Sequence, residues 1–171
     1  MTPPTPIALH HLNTCDRSQF VAALGGIFER SPWVAERAWA RRPFASIDEL
    51  HRAMVDAMLA ATPDEKLSLL RAHPDLGARM RMSDASTSEQ AGAGLDSLDG
   101  DEFARLQQLN AEYREKFGFP FVFAVRGSTK HDVLAALAMR VTDAVETEWA
   151  EALRQVSRIA AFRLKDAVSS T

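Results

Sequence analysis

Residues 119–127 read FPFVFAVRG, and the fold class turns on this stretch. It is apolar, rich in aromatic and β-branched side chains, and bounded by Gly118 and Gly127. By propensity it is a strand. No other stretch of the chain offers a convincing partner strand. An extended segment without a ladder still has N–H and C=O groups to satisfy, and helix termini, water or a polar ligand are the partners left. The chain therefore reads as all-α: a single compact multi-helix domain with one short extended segment, at about 119–126, lining a site.

Helical patterns fill the sequence on both sides. SIDEL at 46–50 places Ser46 as N-cap with Glu49 three residues on, before Leu50, Met54, Ala57 and Met58 at helical spacing. TPDEKL at 62–67 adds Pro63 at the first helical position between a capping Thr62 and Glu65. Pro74 should stop that helix, because the residue before a proline is pushed out of α geometry. A helix from Asp99–Glu102 carries the stripe Phe103, Leu106, Leu109, Tyr113 and Phe117, and Gly118 is its stop signal. Further helices are expected over about 16–24, 31–41, 129–142 and 143–167. In STSEQ, 86–90, Ser86 and Glu89 stand at capping-box spacing and predict a helix opening at Ser86. The domain is expected to span 12–168, behind a flexible Pro-rich lead over 1–11.

The totals exclude several classes. At 171 residues, 46% hydrophobic and 25% charged, the chain is an ordinary globule large enough for a core with a cleft. A net charge of −3, with the basic residues dispersed among acids, argues against nucleic-acid binding. The single cysteine, Cys15, excludes an intramolecular disulfide framework and fits a reducing compartment. No apolar run approaches the ~20 residues of a membrane span, and MTPPTP is no signal peptide. Cytoplasmic location without membrane partners is the expectation. No zinc spacing, dinucleotide fingerprint or complete phosphate loop appears. GSTK at 127–130 imitates only the tail of a phosphate loop, and the histidines lack a second ligand at helical metal-site spacing. Neither a metal nor a cofactor is expected.

Two residues stand out for chemistry. His73 falls at the C-terminal end of a predicted helix, whose negative end favours imidazolium by about 0.3–1 kcal/mol. Taken alone, it reads as a helix-ending histidine without a role. Trp149, Leu153, Val156, Ala160 and Arg163 follow at i, i+4, i+7, i+11 and i+14, so Arg163 shares an apolar stripe. It either snorkels out at the helix end or holds a guanidinium at the edge of the core, facing an anionic or carbonyl-rich ligand. Spacing by itself brings neither residue to Glu89.

The motifs SPWVAERAW (31–39), RPF (42–44), AHPDLG (72–77), STSEQAGAGL (86–95) and LNAEYREKFGFPFVFAVRG (109–127) occur in this order. Together they resemble the 2-oxo-4-hydroxy-4-carboxy-5-ureidoimidazoline (OHCU) decarboxylases, over about Leu12 to Val168. The resemblance implies an all-α, cofactor-free enzyme of urate breakdown that converts OHCU to (S)-allantoin and CO₂, with a homodimer as the compatible assembly. It places the catalytic pair on His73 and Glu89. Substrate contacts fall on Pro74, Ser86, Gln90, the backbone of Phe121, Val122, Phe123, Ala124 and Val125, and Arg163. The alternatives are a non-enzymatic helical binding module, in which HPDL and STSEQ are only turns and caps, and a decarboxylase of a related ureido or imidazoline acid.

Overall fold

A computed structural model of the chain describes residues 5–77 and 84–171. Its elements run β1 (Ile7–Ala8), α1 (Leu9–Thr14), α2 (Arg17–Leu24), α3 (Trp33–Trp39), α4 (Ile47–Leu59), α5 (Pro63–Ala72), α6 (Asp84–Gly92), α7 (Gly100–Phe117), α8 (Lys130–Arg140), α9 (Val145–Ala167) and β2 (Val168–Ser169). The fold is mostly α, as expected. Two compact units form, one from Met1–Ala72 with Ser157–Thr171 and the other from His73–Val156.

In the first unit the helices begin where capping chemistry dictates. Asp16 and Gln19 cap α2 reciprocally, Ser46 Oγ accepts the Glu49 N–H at the start of α4, and Thr62 and Glu65 exchange bonds ahead of Pro63. The apolar faces bury Leu12, Phe20, Leu24, Val34, Leu50, Met54, Leu69 and Leu70. The RPF motif closes the end of α1. Arg42 Nη1 donates to the carbonyls of Leu12, Asn13 and Cys15, groups that a helix C-terminus leaves without intrahelical partners. The Asn13 amide grips both backbone polar groups of Phe44.

The lead expected over 1–11 carries structure from Ile7 onward. Ile7 and Ala8 pair in parallel with Val168 and Ser169, and Leu9–Thr14 is helical. Its first four residues lie outside those described. Two-residue strands whose partner lies at the other end of the chain leave no periodicity to read.

In the second unit, Asp99–Glu102 and Thr129–Asp132 form complete capping boxes for α7 and α8. The GSTK stretch is therefore a helix start. Gly118 ends α7 at φ 77°, in the left-handed region that glycine enters without a Cβ penalty. Two expectations need correction. Residues 119–125 form no strand, and the sheet among the described residues is β1–β2 alone. Propensity for a strand is not enough where no partner strand exists. Helix α6 begins at Asp84, so Ser86 lies within its first turn and is not its cap.

Candidate active site

The site is built from the loop after α5. Leu69 and Leu70 fix α5 in the core, the helix ends at Ala72, and His73 follows, 7% exposed. The next residues are held from two helices. Arg114 of α7 pairs with Asp75 at 2.7 Å. Asn110 of α7 donates from Nδ2 to the Leu76 carbonyl at 2.9 Å. From α6, Gln90 Oε1 accepts the Gly77 N–H at 2.8 Å. Gly77 sits at φ +72°, and a Cβ there would lie 2.5 Å from Leu106 Cδ2. The His-Pro-Asp-Leu-Gly turn is thus held at three consecutive positions, Asp75, Leu76 and Gly77, which restricts where the imidazole can be.

On α6, Ser86 and Gln90 are one turn apart and share a buried face, with Glu89 beside them half-buried. Their positions follow from helical spacing, although the capping reading of Ser86 does not hold. The Gln90 oxygen, expected to read a substrate amide, is already an acceptor for the loop backbone.

The segment 119–125 draws its partners from side chains that the sequence reading passed over. Arg140 Nη1 donates to the Val122 carbonyl at 2.9 Å, and the Gln155 Oε1 accepts the Ala124 N–H at 2.9 Å. Arg140 also lies 4.5 Å over the Phe121 ring. It is oriented by Glu148, whose carboxylate meets Arg140 Nε at 3.0 and 3.1 Å and Nη2 more closely. The Tyr113 hydroxyl donates to the same carboxylate. Burial, and then the bond to Glu148, push the Tyr113 pKa up, so the phenol stays a donor.

A signal for these residues existed. Arg140 stands at i+7 from Val133 and i+3 from Leu137, on the apolar stripe of α8, and Glu148, Ala152, Gln155 and Ile159 share a buried face of α9. The stripe argument that picked out Arg163 applies equally to them.

Arg163 is buried rather than snorkelling, 7% exposed. Its Nη1 pairs with Glu29 Oε2 at 3.1 Å and reaches the Ile27 carbonyl at 3.4 Å. Glu29 is a further residue that the sequence reading missed. Nothing around it is periodic, because it sits in the connection between α2 and α3. Elsewhere on the first unit, a surface cleft of about 620 Å³ is lined by Arg37, Arg41, Asp56, Thr62 and Glu65. Its charges are cancelled in the pairs Arg37–Glu65 and Arg41–Asp56, so it makes a poor anion site.

A family model described as OHCU decarboxylase matches residues 13–165. The chain belongs to the OHCU decarboxylase family. It is 49% identical over 164 residues to the 2-oxo-4-hydroxy-4-carboxy-5-ureidoimidazoline decarboxylase of Haloferax volcanii, covering 96% of this chain and 98% of that protein. To the protein of the same name from Mus musculus it is 41% identical over 162 residues, covering 91% and 89%. Among solved structures, an (S)-allantoin synthase superposes with a TM-score of 0.78 at 36% identity, across 96% of this chain and about half, 54%, of that one. An OHCU decarboxylase crystallised in the presence of (S)-allantoin shares the fold, with a TM-score of 0.69 at 22% identity. Membership makes this OHCU decarboxylase family member a carboxy-lyase. Among its described residues, no three His, Cys, Asp or Glu side chains gather as metal ligands, and no helix is long and apolar enough to cross a membrane.

Proposed function

We propose that the protein converts OHCU to (S)-allantoin and CO₂, with His73 and Glu89 as its acid–base pair. The observation that carries the reading is the 2.8 Å bond from the Gly77 N–H to Gln90 Oε1. It ties the turn bearing His73 to the helix bearing Glu89, one residue before Gln90.

The chemistry needs little else. In OHCU the departing carboxylate sits on a carbon next to a ring C=N. When the C–C bond breaks, its electron pair forms a C=C bond to the ureido-bearing carbon, the C=N pair moves onto the ring nitrogen, and that nitrogen takes a proton to give an enol. The ureido-bearing carbon is then protonated while the hydroxyl gives up its proton to a base and becomes the carbonyl of allantoin. The substrate supplies its own electron sink. The protein supplies placement, stabilisation of the migrating charge, and protonation of one face.

His73 engages the substrate's hydroxyl or carboxylate and assists cleavage, and Glu89 orients the imidazole or handles the proton on the new C–H centre. Pro74 packs the ring, Ser86 and Gln90 meet ureido or ring amides, and the backbone of Phe121 to Val125 matches the alternating donors and acceptors of a ureide. Arg163 enters on the resemblance, as a ligand for ring oxygens. Its pairing with Glu29 tempers a charge that would otherwise grip the carboxylate and stabilise the ground state.

The test is to add the protein to freshly generated OHCU and follow circular dichroism as (S)-allantoin forms. His73→Asn and Glu89→Ala, each folded by far-UV circular dichroism, are expected to lose turnover by about a hundredfold or more. Near-normal rates in either refute the assigned roles.

A further inference from the structure

The extended segment has two edges, and they are used differently. The Phe121 and Phe123 rings stack at 5.9 Å and 13°, as side chains two apart do on one face of an extended chain. In such a chain the C=O of residue i and the N–H of residue i+2 point to the same edge. Val122 C=O and Ala124 N–H are such a pair, and Arg140 and Gln155 take them. On the opposite edge, the backbone groups of Phe121 and Phe123 take no partner from the described residues. Phe121 is only 1% exposed. Buried backbone groups without partners are rare in folded proteins and call for a ligand or water.

We infer that Arg140 and Gln155 act as a substitute partner strand: they lock one edge of 121–125 so that the other edge presents a fixed row of acceptors and donors to the substrate. The inference rests on the proposed function, in which that backbone reads a ureide. It makes Gln155 a positioning residue, and adds the Glu148–Tyr113 pair as the support that aims Arg140. The row runs Phe121 C=O, Phe123 N–H, Phe123 C=O, Val125 N–H, acceptor alternating with donor, which suits a linear or cyclic ureide and not a hydrocarbon or a simple carboxylate. Gln155 is itself fixed, because its Nε2 donates to Glu151 Oε1 at 2.7 Å. Hydrogen bonds from Arg154 and Gln155 hold the Glu151 carboxyl low against the opposing effect of burial, so it stays an acceptor at neutral pH.

The test uses this last contact. Gln155→Leu removes the acceptor for the Ala124 N–H and is expected to lower kcat/KM for OHCU by about tenfold to a hundredfold, with a raised KM, since small misplacements carry such costs. Gln155→Glu sets a second carboxylate against Glu151 and is expected to do the same. The double variant Glu151→Gln/Gln155→Glu restores a donor at 151 and acceptors at 155, so it is expected to return kcat/KM to within about threefold of wild type. A role confined to folding predicts otherwise: melting temperatures fall, while kcat and KM per folded molecule stay at wild-type values in both single variants. That result overturns the inference, as does a double variant no better than Gln155→Glu. Should Gln155→Leu fail to fold, Gln155→Glu and its rescue decide the matter. A wild-type protein without OHCU turnover refutes the functional reading itself, whereas active wild type with unaffected Gln155 variants refutes this inference alone.

Discussion

Replacing Glu148 by leucine tests whether the buried charge network is a stability device or a positioning one. The carboxylate is fully buried, 0% exposed, and its partner Arg140 is 6% exposed. Removing it strands a guanidinium that keeps only the Val122 carbonyl and the Phe121 ring face, and leaves the Tyr113 hydroxyl without its acceptor. Breaking a buried pair from one side costs about 3–5 kcal/mol, and an orphaned buried hydroxyl adds about 1–3 kcal/mol. Contacts this close do not add strictly. Even so, a loss of about 4–8 kcal/mol falls against a total stability of about 5–15 kcal/mol. Glu148→Leu should therefore unfold at far lower urea than wild type. Arg140→Met/Glu148→Leu removes both charges and should recover at least about 2 kcal/mol of the loss, because an apolar pair avoids desolvation. The assay is urea unfolding at pH 7 by circular dichroism, with OHCU turnover measured on the same samples. The double variant should be stable yet slow, having lost the Arg140 bond to Val122. A Glu148→Leu protein within about 1 kcal/mol of wild type, or a double variant weaker than Glu148→Leu, refutes the reasoning.

Gly77→Ala forces a Cβ into the left-handed region and onto Leu106 at 2.5 Å. A cost of about 1–2 kcal/mol from the backbone alone is expected, together with slowed turnover as the His73 loop shifts; unchanged thermal unfolding and unchanged kinetics would exclude it. The pH dependence of stability has a defined contribution from Glu65. Its pKa is lowered to about 2, first by the hydrogen bond from Arg37 and then by the Thr62 backbone. A depressed carboxylate stabilises the fold above its unfolded pKa, and that stabilisation drains away as pH falls from about 4.5 towards 2. Arg37→Gln should flatten this part of the stability profile, measured by urea unfolding at a series of pH values, and identical slopes in variant and wild type would contradict the assignment.

Helix starts and stops were legible in the sequence because they are local chemistry. Asp99 with Glu102, Thr62 with Glu65 and Gly118 each act within one turn of chain, and each appears in the structure in its expected role. The same locality made His73 visible as a helix end and Arg163 as a charge on an apolar stripe. Motifs that resemble a known family then gave those residues candidate roles that spacing alone could not.

Other features were decided only by the tertiary structure, for reasons of distance along the chain. FPFVFAV has the composition of a strand, but a strand needs a ladder, and its backbone was claimed instead by Arg140 and Gln155, 18 and 31 residues downstream of the groups they bind. The partner of Arg163 is Glu29, 134 residues away in a connection without periodicity. Sequence specifies which groups are buried and polar. Which of them meet is settled by packing, because a hydrogen bond acts over about 3 Å of space and is indifferent to how much chain lies between its ends.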